Sequence, residues 1–139
     1  MGGLVAEMDP NRARRLKIYF DGGCRPNPGR MEAAIVARGE TRFYDDLGFG
    51  TSSDAEWTAL RLALQLAQAL GVPDFELIGD CANVIRQANG LAKCRTSAAL
   101  GHYAAYQAGA TEGQPRRVRW ISRNQNLAGI ALARRRSRI

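Results

Sequence analysis

Three acidic residues follow or begin apolar segments, where a carboxylate is held by structure instead of being left to solvent: Asp21 after residues 16–20, Glu56 early in a long apolar stretch, and Asp80 after residues 75–79. Each has an ordinary structural alternative. Asp21-Gly22 is a common hairpin dipeptide, Ser53 to Glu56 has the spacing of a capping box, and Asp80 stands where a helix N-cap is expected. Brought together, the three would repel one another unless a hard cation lay between them. All-oxygen ligation of that kind suits Mg²⁺ or Mn²⁺. With a phosphate backbone as partner, the chemistry of such a cluster is metal-assisted phosphodiester hydrolysis.

The elements that must position these groups are legible from periodicity. Residues 16–20, 32–38 and 41–48 are short, β-rich and separated by glycine-containing turns, which predicts an antiparallel meander. From Ser53 to Leu70 the polar residues Thr58, Arg61, Gln65 and Gln68 form one stripe on an otherwise apolar helix, which must be buried on most of its circumference. Residues 75–80 read as a buried strand, 81–90 as a helix ended by Gly90, 95–110 as another helix, 116–122 as a last strand and 124–136 as a closing helix. The order is βββαβααβα. The fold class is α/β, a five-stranded mixed sheet of three antiparallel strands and two parallel ones with helices on both faces. The first strand and 75–80 then run parallel as neighbours, which puts Asp21 and Asp80 at adjacent carboxyl ends, the edge where open α/β sheets bind ligands.

A chain of 139 residues fits one domain. We expect a basic, loose arm over 1–14, the domain over 15–136 and a tail over 137–139. Twenty Lys+Arg against thirteen Asp+Glu give a formal charge of +7, which favours a polyanionic partner. The basic runs are Arg12, Arg14 and Arg15, then Arg116, Arg117 and Arg119, then Arg134, Arg135, Arg136 and Arg138. They read as solvated faces or as phosphate holders. Cys24, Cys81 and Cys94 are odd in number and lack zinc spacing, so reduced thiols in a cytoplasmic protein are expected. No run approaches the roughly 18 apolar residues that span a membrane, and a monomer is expected.

The motifs resemble those of the ribonuclease H family, type 1 branch, in its compact form without a catalytic histidine loop. "YFDGGCRPNPG" resembles the first-strand motif, "TSSDAEWTALRLAL" the central-helix motif with its glutamate, "LIGDCANVIRQANG" the segment with the third carboxylate, and "VRWISRNQNLAGIALAR" the closing strand and helix. The resemblance runs from about Lys17 to Arg134. It implies a ribonuclease H-like fold and Asp21, Glu56 and Asp80 as catalytic metal ligands for Mg²⁺ or Mn²⁺ in a two-metal site. It further implies hydrolysis of the RNA strand of an RNA/DNA hybrid to 5′-phosphate and 3′-hydroxyl products. Gly22, Cys24 and Asn27 match positions at the hybrid's minor groove, where 2′-hydroxyls mark RNA. Thr51 matches a holder of a DNA-strand phosphate, and Ser52, Ser53, Lys93, Arg95 and Arg123 complete the expected nucleic-acid contacts, Arg123 as an aid to product release.

The chain also departs from the family pattern. A fourth aspartate is usual on the last helix, and the matching residue is Ile130, read here as core because Leu127, Ile130 and Ala131 share a helical face. The second metal should then bind weakly. Ser52 and Ser53 replace paired asparagines, Ala82 offers no polar group beside Asp80, and the lone histidine, His102, falls in mid-helix and reads as structural or solvated. Two alternatives follow: a nucleic-acid-binding protein with weak or lost catalysis, and a related nuclease acting on another nucleic acid such as double-stranded RNA.

Overall fold

Residues 15–137 are described by the structure, a computed structural model. The expectations for residues 1–14 and for Arg138 fall outside that range. Strand β1 (Leu16–Cys24) alternates so that Leu16, Ile18, Phe20, Gly22 and Cys24 are buried. It pairs antiparallel with β2 (Gly29–Ala37), which pairs with β3 (Glu40–Tyr44) and, by Gly29 and Arg30, with the two-residue β4 (Phe49–Gly50). Helix α1 (Ser52–Leu70) leads to β5 (Phe75–Gly79), every residue of which is buried. Helices α2 (Ala82–Ala88) and α3 (Ser97–Ala110), strand β6 (Arg117–Trp120), a 3₁₀ turn (Arg123–Gln125) and helix α4 (Leu127–Ser137) complete the chain. The sheet order is β3-β2-β1-β5-β6, with β5 parallel to both neighbours.

The two faces of the sheet carry different cores. On one, Ile18, Phe20, Ile35 and Leu77 pack with Trp57, Leu60, Leu64, Val84 and Tyr106. On the other, Ala34, Val36 and Tyr19 pack against Ala128 and Leu132 of α4 in a much smaller cluster. The expected two-sided α/β architecture is therefore present, with a heavy face and a thin one.

Several local expectations give way to long-range pairing. Asp21-Gly22 is not a turn: β1 runs on through Gly23 and Cys24 because Asp21, Gly22, Gly23 and Cys24 pair with Ala34, Ala33, Glu32 and Met31. The turn is made afterwards, by Arg25 to Pro28. Nor do Ser53 and Glu56 form the capping box. Thr51 is the N-cap of α1, its hydroxyl accepting from the Asp54 N–H while Asp54 accepts from the Thr51 N–H. Asp80 is not a cap either, since Cys81 holds the N-cap position of α2. The closing helix runs through Ser137, past the start expected for the tail. Its buried residues are Ala128 and Leu132, whereas Leu127, assigned to the core from sequence, is 46% exposed and Ile130 only half-buried. Among the described residues no helix is long and apolar enough to cross a membrane.

Candidate active site

The register that pairs Tyr19 of β1 with Ile78 of β5 sets Asp21 level with Asp80, each two residues further on. Glu56, released from capping duty, enters from the first turns of α1. One carboxylate oxygen from each of the three residues lies within 4.8 Å of the other two.

The two glycines after Asp21 let helices approach the strand from opposite sides. A Cβ on Gly22 would collide with the Ala55 carbonyl of α1, and one on Gly23 would stand 2.5 Å from Nη2 of Arg136 on α4. The first approach lets the Gly22 N–H donate to Glu56 Oε1 at 3.3 Å. Glu56 Oε2 is buried with no hydrogen-bond partner. Burial pushes the Glu56 carboxyl well above its ordinary range, and contact with Asp21 and the Asp21 charge push it further. Asp21 is raised too, by burial first, with the neighbouring Asp80 charge adding to the rise and Arg123 and Arg136 opposing it. Buried acidic oxygens of this kind, one lacking any partner, form a hard donor set that fits a divalent cation.

Asp80 is held from behind. Asn126, fully buried, donates from Nδ2 to Asp80 Oδ2 at 2.9 Å and to the Phe20 carbonyl at 3.0 Å, while its Oδ1 accepts from the Ala128 N–H. The indole of Trp120 donates to the Asp80 carbonyl, and Arg123, with a side chain 89% exposed, lies 3.9 Å from Asp80 Oδ1. The carboxylates floor a cavity of about 570 Å³ whose walls include Gly22, Cys24, Asn27, Ser52, Ser53, Arg123 and Arg136.

The remaining site residues from the sequence divide between two cavities. Asn27 is clamped to the start of α1, its Oδ1 accepting from the Ser52 N–H at 3.0 Å and its Nδ2 donating to the Ser52 hydroxyl. Ser52 therefore shapes the turn after β1. Thr51, Lys93 and Arg95 are not at the carboxylates; they line a second cavity of about 740 Å³ that shares Ser52 and Ser53 with the first. The Thr51 hydroxyl there is already engaged with Asp54. His102 belongs to the same region and is structural, stacked on Trp57 and 3.0 Å from Asp54 Oδ1.

On α4, Gly129 and Ile130 both line the first cavity. A Cβ at Gly129 would stand 3.5 Å from Oδ2 of both Asp21 and Asp80, so this turn of helix brings no acid to the place where it faces the carboxylates. Sequence reasoning missed Asn126 and Gly129, and named Arg136 only as part of a basic run of solvated faces or phosphate holders, not as a residue of this cavity. An asparagine just before a helix is a readable cap signal, but nothing local marks its bond to Asp80.

Comparison with known proteins follows the same lines. A family model described as reverse transcriptase-like matches residues 20–136. The chain belongs to this ribonuclease H-like family. A curated relative, ribonuclease HI of Halobacterium salinarum, is 36% identical over 96 residues, which is 63% of this chain and 46% of the relative; the chain thus spans about half of that protein's length. The ribonuclease H1 structure from the same organism superposes with a TM-score of 0.77 at 27% identity, covering 85% of this chain and 93% of that one. The N-terminal ribonuclease H domain of a Mycobacterium tuberculosis protein gives 0.72 at 25%, covering 85% and 95%. The structure of LC11 ribonuclease H1 bound to an RNA/DNA hybrid gives 0.69 at 24%, over 81% and 89%, a likeness of fold.

Proposed function

We propose that this ribonuclease H-like chain is a metal-dependent endonuclease that hydrolyses the RNA strand of RNA/DNA hybrids, leaving 5′-phosphate and 3′-hydroxyl ends. The observation that carries the reading is the convergence of Asp21, Glu56 and Asp80, with Glu56 Oε2 buried and without a partner. These residues would hold Mg²⁺ or Mn²⁺, which supplies Lewis acidity to activate water and to stabilise the departing 3′ oxygen. Asn126 fixes the direction of Asp80, in the manner of an outer residue that orients a metal ligand. The turn after β1, held by Asn27 and Ser52, presents its backbone to the minor groove, where 2′-hydroxyls distinguish the RNA strand, with the buried Cys24 behind it in the cavity wall. The second cavity, with Thr51, Lys93 and Arg95, takes the DNA strand's phosphates.

The test is cleavage of labelled hybrid, double-stranded RNA and duplex DNA by wild type and Asp21→Asn in Mg²⁺ and in Mn²⁺. Hybrid-selective cutting lost in the variant supports the proposal; equal cutting of double-stranded RNA, or hybrid bound and never cut, defeats it. One observation favours a binder with reduced catalysis: α4 faces the carboxylates with Gly129 and Ile130 and no acid. If that gap limits metal binding, Ile130→Asp raises cleavage or lowers the metal concentration required, and no change rejects this explanation.

A further inference from the structure

The C-terminal arginines of α4 are not equivalent. Arg134 is exposed. Arg135 is committed inside the fold, donating to Asp45 at 2.7 Å and to Glu32 at 3.1 Å with its guanidinium 4.3 Å from the centre of the Phe43 ring. Arg136 is different. Its Nε donates to Glu32, which braces the head, but Nη2 is buried without a partner against the backbone of Gly23. The residue lines the carboxylate cavity. Its side chain keeps 25% of its exposure while Nη2 itself is buried, so a small swing of the head toward the cavity it lines is what brings that N–H to a ligand.

A guanidinium that has given up water without gaining an acceptor is left short of its bonding capacity. Gly23 lies on the same face of β1 as Asp21, about 7 Å along the strand, so the unpaired N–H stands beside the acidic cluster. A phosphate oxygen suits a guanidinium fork better than any other acceptor a nucleic acid offers. We infer that Arg136 is a substrate-binding residue whose guanidinium donates to a non-bridging oxygen of a nucleic-acid phosphate in the carboxylate cavity. Glu32 positions it and Gly23 makes room for it. The charge it brings complements a site whose last helix supplies no acid to hold a second cation. The inference rests on the proposed reading of the cavity as the place where nucleic acid binds for cleavage.

The experiment is anisotropy of a labelled RNA/DNA hybrid in metal-free buffer across a salt series, for wild type, Arg136→Gln, Arg134→Gln and Glu32→Gln. Arg136→Gln is expected to weaken binding on the order of ten-fold, the loss of one charge-assisted hydrogen bond, and to reduce the salt slope by about one. Arg134→Gln is expected to have a smaller effect, and Glu32→Gln, which keeps the cation but loosens its brace, to weaken binding less than Arg136→Gln does. Wild-type affinity in Arg136→Gln, or equal losses in Arg136→Gln and either control, would overturn the contact in favour of a brace or a diffuse charge effect. Should Arg136→Gln lower the melting temperature, Arg136→Lys is read in its place: it keeps the charge without the fork, and wild-type affinity and slope in that variant overturn a forked contact. Cleavage by wild type in Mn²⁺, run alongside, reads the endonuclease proposal separately from the affinity difference.

Discussion

Two buried glutamates differ in whether the fold itself completes their charge. Glu76, 2% exposed on β5, receives Arg117 at 2.5 Å and Arg119 at 3.2 Å from β6. Burial alone would raise its carboxyl, but the two guanidiniums outweigh it and hold it below the usual range. Glu56, 7% exposed, is bonded to one backbone N–H, faces two other acids and keeps an oxygen with no partner. The fold completes the first charge from within and leaves the second uncompensated, as the proposed cation site requires. A buried acid that a small domain leaves uncompensated costs stability, and retaining it at the carboxyl edge of the sheet is what marks the site.

The sharpest break of this contrast is Glu56→Gln. It is expected to cut hybrid cleavage by about a thousand-fold or more, as loss of a central catalytic group does, while leaving the melting temperature in metal-free buffer unchanged or higher. Glu76→Ala should do the reverse, costing about 1–2 kcal/mol in denaturant unfolding because the hydrogen bonds of a buried carboxylate to two partly exposed guanidiniums are lost, with the folded protein still cutting hybrid. Asn126→Ala, which frees Asp80 to turn, is expected to weaken metal affinity about 10- to 100-fold, read by calorimetry. The smallest effect belongs to the cap of α1. Asp54 is held below its ordinary value of 3.8, first by the Thr51 N–H and also by His102. A depressed carboxyl contributes stability that is present above the unfolded value and lost as pH falls through the folded one. Asp54→Asn should therefore cost about 1 kcal/mol at neutral pH, and the gap to wild type should close below pH 3.8; a gap that persists in acid would contradict the cap account.

Much of the site was legible because its logic is local. Asp21 and Asp80 follow apolar strands, and the parallel pairing of those strands sets them level. What escaped the sequence is what distant residues decide. Asp21-Gly22-Gly23 has the chemistry of a turn, and only pairing with Glu32 to Ala34 and the approach of two helices keep it extended. The cap of α1 lies two residues earlier than the Ser53 capping-box spacing suggests, because serine and threonine both cap well; the short β4, paired to Gly29 and Arg30, fixes Thr51 as the cap. Asn126 reaches Phe20 across 106 positions of sequence, and Arg136 reaches Glu32 across 104. Neither tie leaves a periodic trace. Leu127 looked like core because hydrophobicity alone does not set the phase of a short helix on a thin face.

The most direct test of the central claim is a calorimetric titration of Mn²⁺ into wild type and Glu56→Gln, both folded. The account predicts saturable binding in wild type that is lost or greatly weakened in the variant; equal heats in the two proteins would show that the partnerless Glu56 oxygen is not there to hold a cation.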